Sequence, residues 1–392
     1  MPMAAPFPPG NPSLYLADRM RIAQPNIPVT FGLAGLNIAI FAVMVFFGAG
    51  LWHSSSEVPL AWGANFGPAT QDGQWWRLGS AMFLHFGLIH LAMNMLALWD
   101  AGRLVERMYG SVRFGLLYLL AGVGGNLLSL VLRGEQAVSG GASGAIFGIY
   151  GALFVGLWQE RHHLRRHEFR WLFWGGGCFA VAMITIGQML PNIDNAAHVG
   201  GLIVGAITGI ILARPLSANA GMPQRLRWVA AALLLTLAVL LIVNIPAPRY
   251  RWSEELNARK EITRFLREDV AISNAWQTLV AQGRQGGGVS FNQLAGEIEQ
   301  NVADRYENTF EQISQVHVDP GAPSADTLAS LREYAALRRD SSRLMVEGLR
   351  THDQRKIEAA IDIARQSRKI DTSKGGKPNA SVAPDAGIPS KP

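Results

Sequence analysis

The chain has 392 residues, 49% of them hydrophobic and only 16% charged, with a single cysteine. Its mean hydropathy of +0.15 averages a very apolar part with a polar one, which excludes a wholly soluble chain and marks a membrane protein carrying a soluble piece. A formal net charge of +6 is compatible with nucleic-acid binding, but much of the basic charge sits in short loops between apolar runs, where topology explains it; no nucleic-acid partner is expected.

Residues 1–30 are rich in proline and polar groups, with Arg19 and Arg21 ahead of the first apolar run, and read as a cytoplasmic N-terminal segment. That run starts too late and is too long for the h-region of a cleavable signal peptide. From Phe31 to Val243 the apolar runs recur at membrane-crossing length, and spans are expected at about 31–51, 80–100, 114–132, 143–159, 170–190, 197–213 and 227–245. The lone Cys178 lies inside one of them, so no disulfide framework or multi-cysteine metal site is possible, and it reads as a small packed side chain. The long loop from His53 to Gly79 holds Trp62, Trp75, Trp76 and Arg77 and reads as an interfacial segment with its indoles in the headgroup zone.

Basic side chains alternate between loops. Arg19 and Arg21 precede the first span; Arg103, Arg107 and Arg113 follow the second; Arg161, Arg165, Arg166 and Arg170 follow the fourth; Arg214, Arg225 and Arg227 follow the sixth. By the positive-inside rule the N-terminus is cytoplasmic, and an odd number of spans puts the C-terminal part outside. The second, fourth and sixth spans then all run inward, so their N-terminal halves share a depth.

At that depth the chemistry converges. The second span carries His85, His90 and Asn94; the fourth opens in Gly140-Gly141-Ala142-Ser143-Gly144; the sixth opens with Ala197-His198-Val199-Gly200-Gly201. Ionisable and polar groups inside a bilayer are costly and mark function. Gly140 and Gly141 allow close backbone approach and bare N–H groups at a helix start, where an anion is favoured. Two readings of Ser143 stand: a nucleophile beside an oxyanion hole, or a plain N-cap. His198 at matching depth is the candidate base, while His90 and Asn94, spaced i and i+4, share a helix face and could donate to a developing oxyanion together with the Ser143 N–H. Gly144 and Gly148, and Gly201, Gly205 and Gly209, form stripes at four-residue spacing that suit close helix packing. Asp194 reads as a helix cap in preference to a third triad member.

Jointly, Gly141-Ala142-Ser143-Gly144, Ala197-His198-Val199-Gly200-Gly201, the His85, His90 and Asn94 cluster and Trp76-Arg77 upstream resemble the rhomboid family of intramembrane serine proteases, over about residues 31–213. The resemblance implies an all-α membrane protein with a six-helix core over 31–213, in which Ser143 is the nucleophile, His198 the general base, and His90, Asn94 and the Ser143 N–H the oxyanion hole. It implies no acidic third member, no metal and no cofactor. His85, Trp76, Arg77 and Glu106 match structural positions that brace the first loop and the turn after the second span. Gly141 and Gly144 flank the serine in the motif, and Gly201 and Gly205 match glycines that let the sixth helix approach the fourth. Phe147 stands where family members carry tyrosine; its ring can still stack on His198 without a hydroxyl. The seventh span, within 214–248, makes a six-plus-one arrangement found in part of the family.

The implied activity is endoproteolysis in or near the transmembrane segments of membrane-protein substrates, with the bilayer as the other partner and a bacterial inner membrane as the location. The alternative is a non-catalytic rhomboid-like membrane protein binder. A histidine-based metal transporter is disfavoured because no carboxylate joins His85, His90 and His198 within the spans and no HExxH occurs.

The remainder divides into a helical extracytoplasmic domain at 249–371 and a disordered tail at 372–392, rich in proline, glycine, serine and lysine. Apolar positions recur at helical spacing through Leu256, Ile262, Phe265 and Leu266, break at Gly286-Gly287-Gly288, and resume after a capping box at Ser290 and Gln293. A second break at Pro320 to Pro323 precedes a long helical stretch through Leu328, Leu331, Leu337, Leu344 and Leu349, and the whole reads as a small helical bundle or hairpin. His317 and His352 read as isolated, solvated side chains.

Overall fold

The computed structural model describes residues 15–189, 193–217, 220–284 and 290–374. Among these residues the regular structure is helical, and the one extended pairing is an isolated antiparallel bridge between Asn65 and Ser139. The chain divides into two compact units, Met1–Pro248 and Arg249–Pro392.

In the first unit a short helix α1 (Leu16–Ala23) precedes α2 (Pro28–Phe46), whose proline at the first helical position suits a helix start. Three short helices follow, α3 (Glu57–Trp62), α4 (Gly67–Gln71) and α5 (Arg77–Ser80), the last running into a 3₁₀ turn, Ala81–Phe83. Then come α6 (Leu88–Tyr109), α7 (Ser111–Arg133), α8 (Ser143–Glu160), α9 (Arg166–Met189), α10 (Asn195–Leu212) and α11 (Gln224–Val243). Five of these, α2, α7, α9, α10 and α11, are long and apolar enough to cross a membrane. The bent pair Arg77–Phe83 and Leu88–Tyr109, which turns by 93°, makes a sixth when counted as one span.

The expected second span at about 80–100 therefore needs correction. The apolar run is broken at Leu84 to Gly87, and the straight helix starts at Leu88 and extends to Tyr109. His85 consequently sits in the break and not on the helix that carries His90 and Asn94, and Arg103 and Arg107 are helical instead of lying in a loop. Hydropathy averaged over the length of a span does not register this bend, because His85 and Gly87 interrupt the apolar run only briefly. Within the N-terminal segment α1 buries Leu16 and Met20.

The expected fourth span, α8, is missing from the helices apolar enough to cross by composition alone, and the packing explains why. It lies among α6, α7 and α10 and is buried along most of its length, so it faces helices and can afford glycines, Tyr150 and Glu160. By contrast α9 and α11 leave Trp171, Trp174, Val181, Trp228 and Leu235 exposed, as helices facing lipid do. At the end of α8 opposite Ser143, the buried Glu160 accepts from the Leu216 N–H at 2.8 Å and from the Ser217 hydroxyl, and pairs with Arg19 of α1 at 3.4 Å. Arg19 also donates to the His163 carbonyl at 2.9 Å.

The second unit comprises α12 (Trp252–Arg284), α13 (Phe291–Ile298), a single π turn over Glu299–Ala303, α14 (Asp304–Ser314), α15 (Ala325–Thr351) and α16 (Gln354–Lys374). Two apolar clusters hold it. One gathers Ile272, Ile298, Tyr306, Val346 and Leu349, and the other Ala258, Phe265, Ile313, Leu328 and Ala335. Between them Asp269 accepts from the hydroxyls of Tyr306 at 2.8 Å and Tyr334 at 2.9 Å. Ser290 caps α13 by accepting from the Gln293 N–H at 3.2 Å. The Gly286-Gly287-Gly288 break lies outside the described residues.

Two expectations for this part change, while the long helical stretch through Leu328 to Leu349 is α15, which ends in a turn at His352 in a left-handed conformation (φ 56°) before α16. His352 packs edge-on against Phe291, with centroids 5.1 Å apart, and His317 lies 3.8 Å from Glu254, so neither is isolated. The helix also continues through residues 372–374 of the segment expected to be disordered, while 375–392 lie outside the described residues.

Candidate active site

The site is built on two backbones that touch. A Cβ on Gly201 of α10 would lie 1.9 Å from the Gly144 carbonyl oxygen of α8, and one on Gly205 would lie 2.1 Å from that of Gly148. Only hydrogen at these positions permits the approach. On the other side of α10, Gly125 of α7 is equally close-fitting, its Cβ direction meeting the Ala197 oxygen at 2.6 Å. The first turn of α10 is thereby held between α7 and α8.

That packing brings His198 to Ser143, with Nε2 2.8 Å from Oγ. Ser143 is the first residue of α8 and its side chain makes no cap; the N-cap position is Ala142, so the capping reading of the serine falls. His198 is 5% exposed, and its ring lies parallel to that of Phe147, centroids 4.4 Å apart and planes 10° from parallel. No described group hydrogen-bonds to His198 Nδ1. Asp194 does not supply one: its carboxylate accepts from the Ala197 N–H at 3.0 Å, capping α10, and from the Ser129 hydroxyl.

His90 and Asn94 approach the same place from α6. Gly141 adopts φ +132°, a conformation side chains rarely allow, and a Cβ there would lie 2.8 Å from His90 Cε1, 2.9 Å from His90 Nε2 and 3.8 Å from Ser143 Oγ. The His90 ring thus lies against the backbone just ahead of the serine. The Phe86 N–H points at His90 Nδ1 at 3.4 Å; with Nδ1 accepting, the ring proton belongs on Nε2, the nitrogen facing Gly141. Asn94 uses one amide N–H on its own helix, donating to the His90 carbonyl at 2.9 Å, which leaves its second N–H. His85 is fully buried, its ring 5.1 Å from that of His90.

The remaining residues singled out in the sequence hold the loops around the site. Arg77 is 5% exposed and donates to the carbonyls of Leu60 at 2.7 Å and Ala64 at 3.0 Å, with its Nε on Gln74 at 2.8 Å. Trp76 lies half-exposed beneath that guanidinium, 5.0 Å from centroid to carbon. Glu106, fully buried near the end of α6, accepts from the Val29 N–H at 3.0 Å, from the Thr30 N–H and hydroxyl at 2.7 Å each, and from the Ser111 hydroxyl at 2.6 Å. One carboxylate therefore satisfies the free donors at the start of α2 and ties them to the start of α7.

Sequence reasoning missed a second buried network. Asn65 and Ser139 exchange backbone hydrogen bonds at 2.8 Å in each direction, Asn65 Nδ2 donates to the Asn126 carbonyl at 3.0 Å, and Asn126 Nδ2 donates to the Leu78 carbonyl at 2.8 Å. With the Gly141 N–H on the Ala81 carbonyl at 2.9 Å, this fixes the segment entering α8. The only sequence signal was an asparagine, Asn126, inside an apolar span.

Comparison with known proteins points the same way. A family profile described as the Rhomboid domain matches residues 72–215. Over 237 residues, 59% of this chain and 44% of the relative, the sequence is 36% identical to rhomboid protease GluP of Bacillus subtilis (strain 168). It is 36% identical over 162 residues to RHOMBOID-like protein 6, mitochondrial, of Arabidopsis thaliana, covering 41% of this chain and 52% of that one. It is 29% identical over 252 residues to rhomboid protease AarA of Providencia stuartii, covering 58% and 86%. The chain spans about half the length of the first two relatives. Taken with the helical fold of the described residues, whose apolar helices mark an integral, multi-pass membrane protein, these matches show a rhomboid domain over residues 72–215.

Proposed function

We propose that this protein is an intramembrane serine endopeptidase that cleaves peptide bonds in or near the transmembrane segments of membrane proteins. The observation that carries the reading is the 2.8 Å contact between His198 Nε2 and Ser143 Oγ at the start of α8. In this scheme Ser143 Oγ attacks the scissile carbonyl carbon while His198 Nε2 takes its proton. The negative charge that develops on the carbonyl oxygen is met by the Ser143 N–H, the His90 Nε2–H and the free Asn94 N–H. His198 then returns the proton to the leaving amine, and water, activated by the same imidazole, hydrolyses the acyl-enzyme. A substrate helix hides its carbonyls in its own hydrogen bonds, so the cleaved stretch must unwind, and helix-destabilising residues near the scissile bond are expected.

The arginine distribution supports an N-terminus in the cytoplasm, with the dyad end of α8 near the outer face of a bacterial inner membrane. α11 adds a seventh crossing to the six-helix core and delivers residues 249–371 to the outside. GluP and AarA are both named rhomboid proteases, which favours catalysis over a non-catalytic binder.

The test is cleavage of a single-span model substrate together with labelling by a fluorophosphonate. Ser143→Ala and His198→Ala should each abolish cleavage, and Ser143→Ala should abolish labelling, in preparations that remain folded in detergent. Residual cleavage by clean Ser143→Ala protein would refute the dyad, and a folded wild type that neither cleaves nor labels would leave the binding reading.

A further inference from the structure

The base of the dyad sits one turn into α10, and no described group hydrogen-bonds to its Nδ1; the start of that turn is fixed by its neighbours. The Asp194 carboxylate joins two helices there. One oxygen accepts from the Ala197 N–H at 3.0 Å and the other from the hydroxyl of Ser129 on α7, while the Asp194 carbonyl accepts from the His198 N–H at 3.2 Å. Ala197, the residue so capped, is the one whose carbonyl lies against Gly125 of α7 and Gly144 of α8. Ser129 is 3% exposed, so its hydroxyl is committed inside the protein.

On this basis we infer that Asp194, anchored by Ser129, is a positioning residue for the protease reaction: it locks the axial register of the first turn of α10 so that His198 Nε2 reaches Ser143 Oγ. The inference rests on the protease reading above. The steric walls of Gly125 and Gly144 limit sideways motion of α10 but leave it free to slide or fray at its first turn, where no neighbouring helical turn supplies acceptors. A helix end without its cap frays, and a displacement of about 1 Å at a reacting pair lowers rates by about a hundredfold. The role needs an acceptor at position 194 and not a charge, since asparagine caps as well as aspartate and the Ser129 hydroxyl can turn to accept from an amide.

The experiment compares wild type, Asp194→Ala, Asp194→Asn, Ser129→Ala and the Ser129→Ala/Asp194→Ala double variant by fluorophosphonate labelling rate, substrate kcat and KM, and thermal unfolding in detergent. Asp194→Ala should lower the labelling rate and kcat by about tenfold to a hundredfold with KM within about twofold. Asp194→Asn should restore most of the loss. Ser129→Ala should cost about threefold to tenfold, and the double variant should be no worse than Asp194→Ala, because both remove one tie. Asp194→Ala that lowers the unfolding temperature while labelling at the wild-type rate would overturn the inference, as would an Asp194→Asn rate as low as that of alanine or additive losses in the double variant. Should Asp194→Ala fail to fold, the Asp194→Asn and Ser129→Ala rates decide by the same criteria. A wild type that does not label would instead overturn the protease reading.

Discussion

Gly201→Ala puts the contact between α8 and α10 to a quantitative trial. The new methyl carbon would lie 1.9 Å from the Gly144 oxygen and 2.8 Å from its carbonyl carbon. Ordinary contact begins near 3.4 Å, so the two backbones must part by the difference, about 1.5 Å. Nothing can rotate away, because the obstacle is main chain. Gly144 adjoins Ser143 and Gly201 lies three residues beyond His198, so the parting falls on the dyad and stretches its 2.8 Å contact past 4 Å, outside hydrogen-bonding range. Overpacking of this kind destabilises by about 1–3 kcal/mol, and a backbone obstacle places it at the upper end, against only about 0.5–1 kcal/mol gained from the better helix propensity of alanine. The net expectation is a loss of about 2 kcal/mol in stability and at least about a hundredfold in fluorophosphonate labelling rate. Both are read on detergent-purified protein, with Gly177→Ala as control; Gly177 on α9 has nothing within 4 Å of its Cβ direction and should be neutral or slightly stabilised. Wild-type stability and labelling in Gly201→Ala would refute the close approach.

Asn94→Ala and His90→Ala should lower kcat by about tenfold to a thousandfold, most severely in combination, with little change in KM; a loss confined to KM would reject the oxyanion role. Glu106→Ala strands the N–H groups of Val29 and Thr30 and two hydroxyls in the protein interior, and should lower stability by about 2–4 kcal/mol in an unfolding titration, whereas Glu106→Gln should recover part of it. For topology, Glu358→Cys, exposed on α16, in a Cys178→Ser background should react with an impermeant maleimide on intact cells; a label gained only after lysis would overturn the orientation, the seventh crossing, or both.

How much could be read beforehand depends on which part of each residue does the work. Ser143, His198 and the glycines announce themselves because their side chains, or the lack of one, are out of place in an apolar run. The break at Leu84 to Gly87 does not, because His85 and Gly87 interrupt the apolar run too briefly to lower its average over the length of a span. Glu106 is conspicuous in sequence, yet its partners at Val29 and Thr30 include main-chain donors that no residue identity reveals. The same blindness hides the bridge between Asn65 and Ser139, and the turn at His352 between α15 and α16, which has neither glycine nor proline to mark it.

The orientation of His198 illustrates what the fold substitutes for a missing group. In a three-member arrangement a carboxylate on the far nitrogen fixes the tautomer and the plane of the imidazole. Here no described group hydrogen-bonds to Nδ1, and the plane is set by the face of Phe147, 4.4 Å away, whose own helix is in backbone contact with that of His198. An aromatic face fixes tilt but not rotation within the ring plane, so the remaining freedom must be removed by the backbone from which the histidine springs. That demand accounts for glycines at Gly144, Gly148, Gly201 and Gly205 along one seam. It also explains why the other end of α8 is pinned by a buried carboxylate, Glu160, to α1 and to the segment after α10. On the proposed dyad, rigid main chain would do the orienting that a third side chain performs elsewhere, and it can do so only where helices are free to approach without intervening side chains.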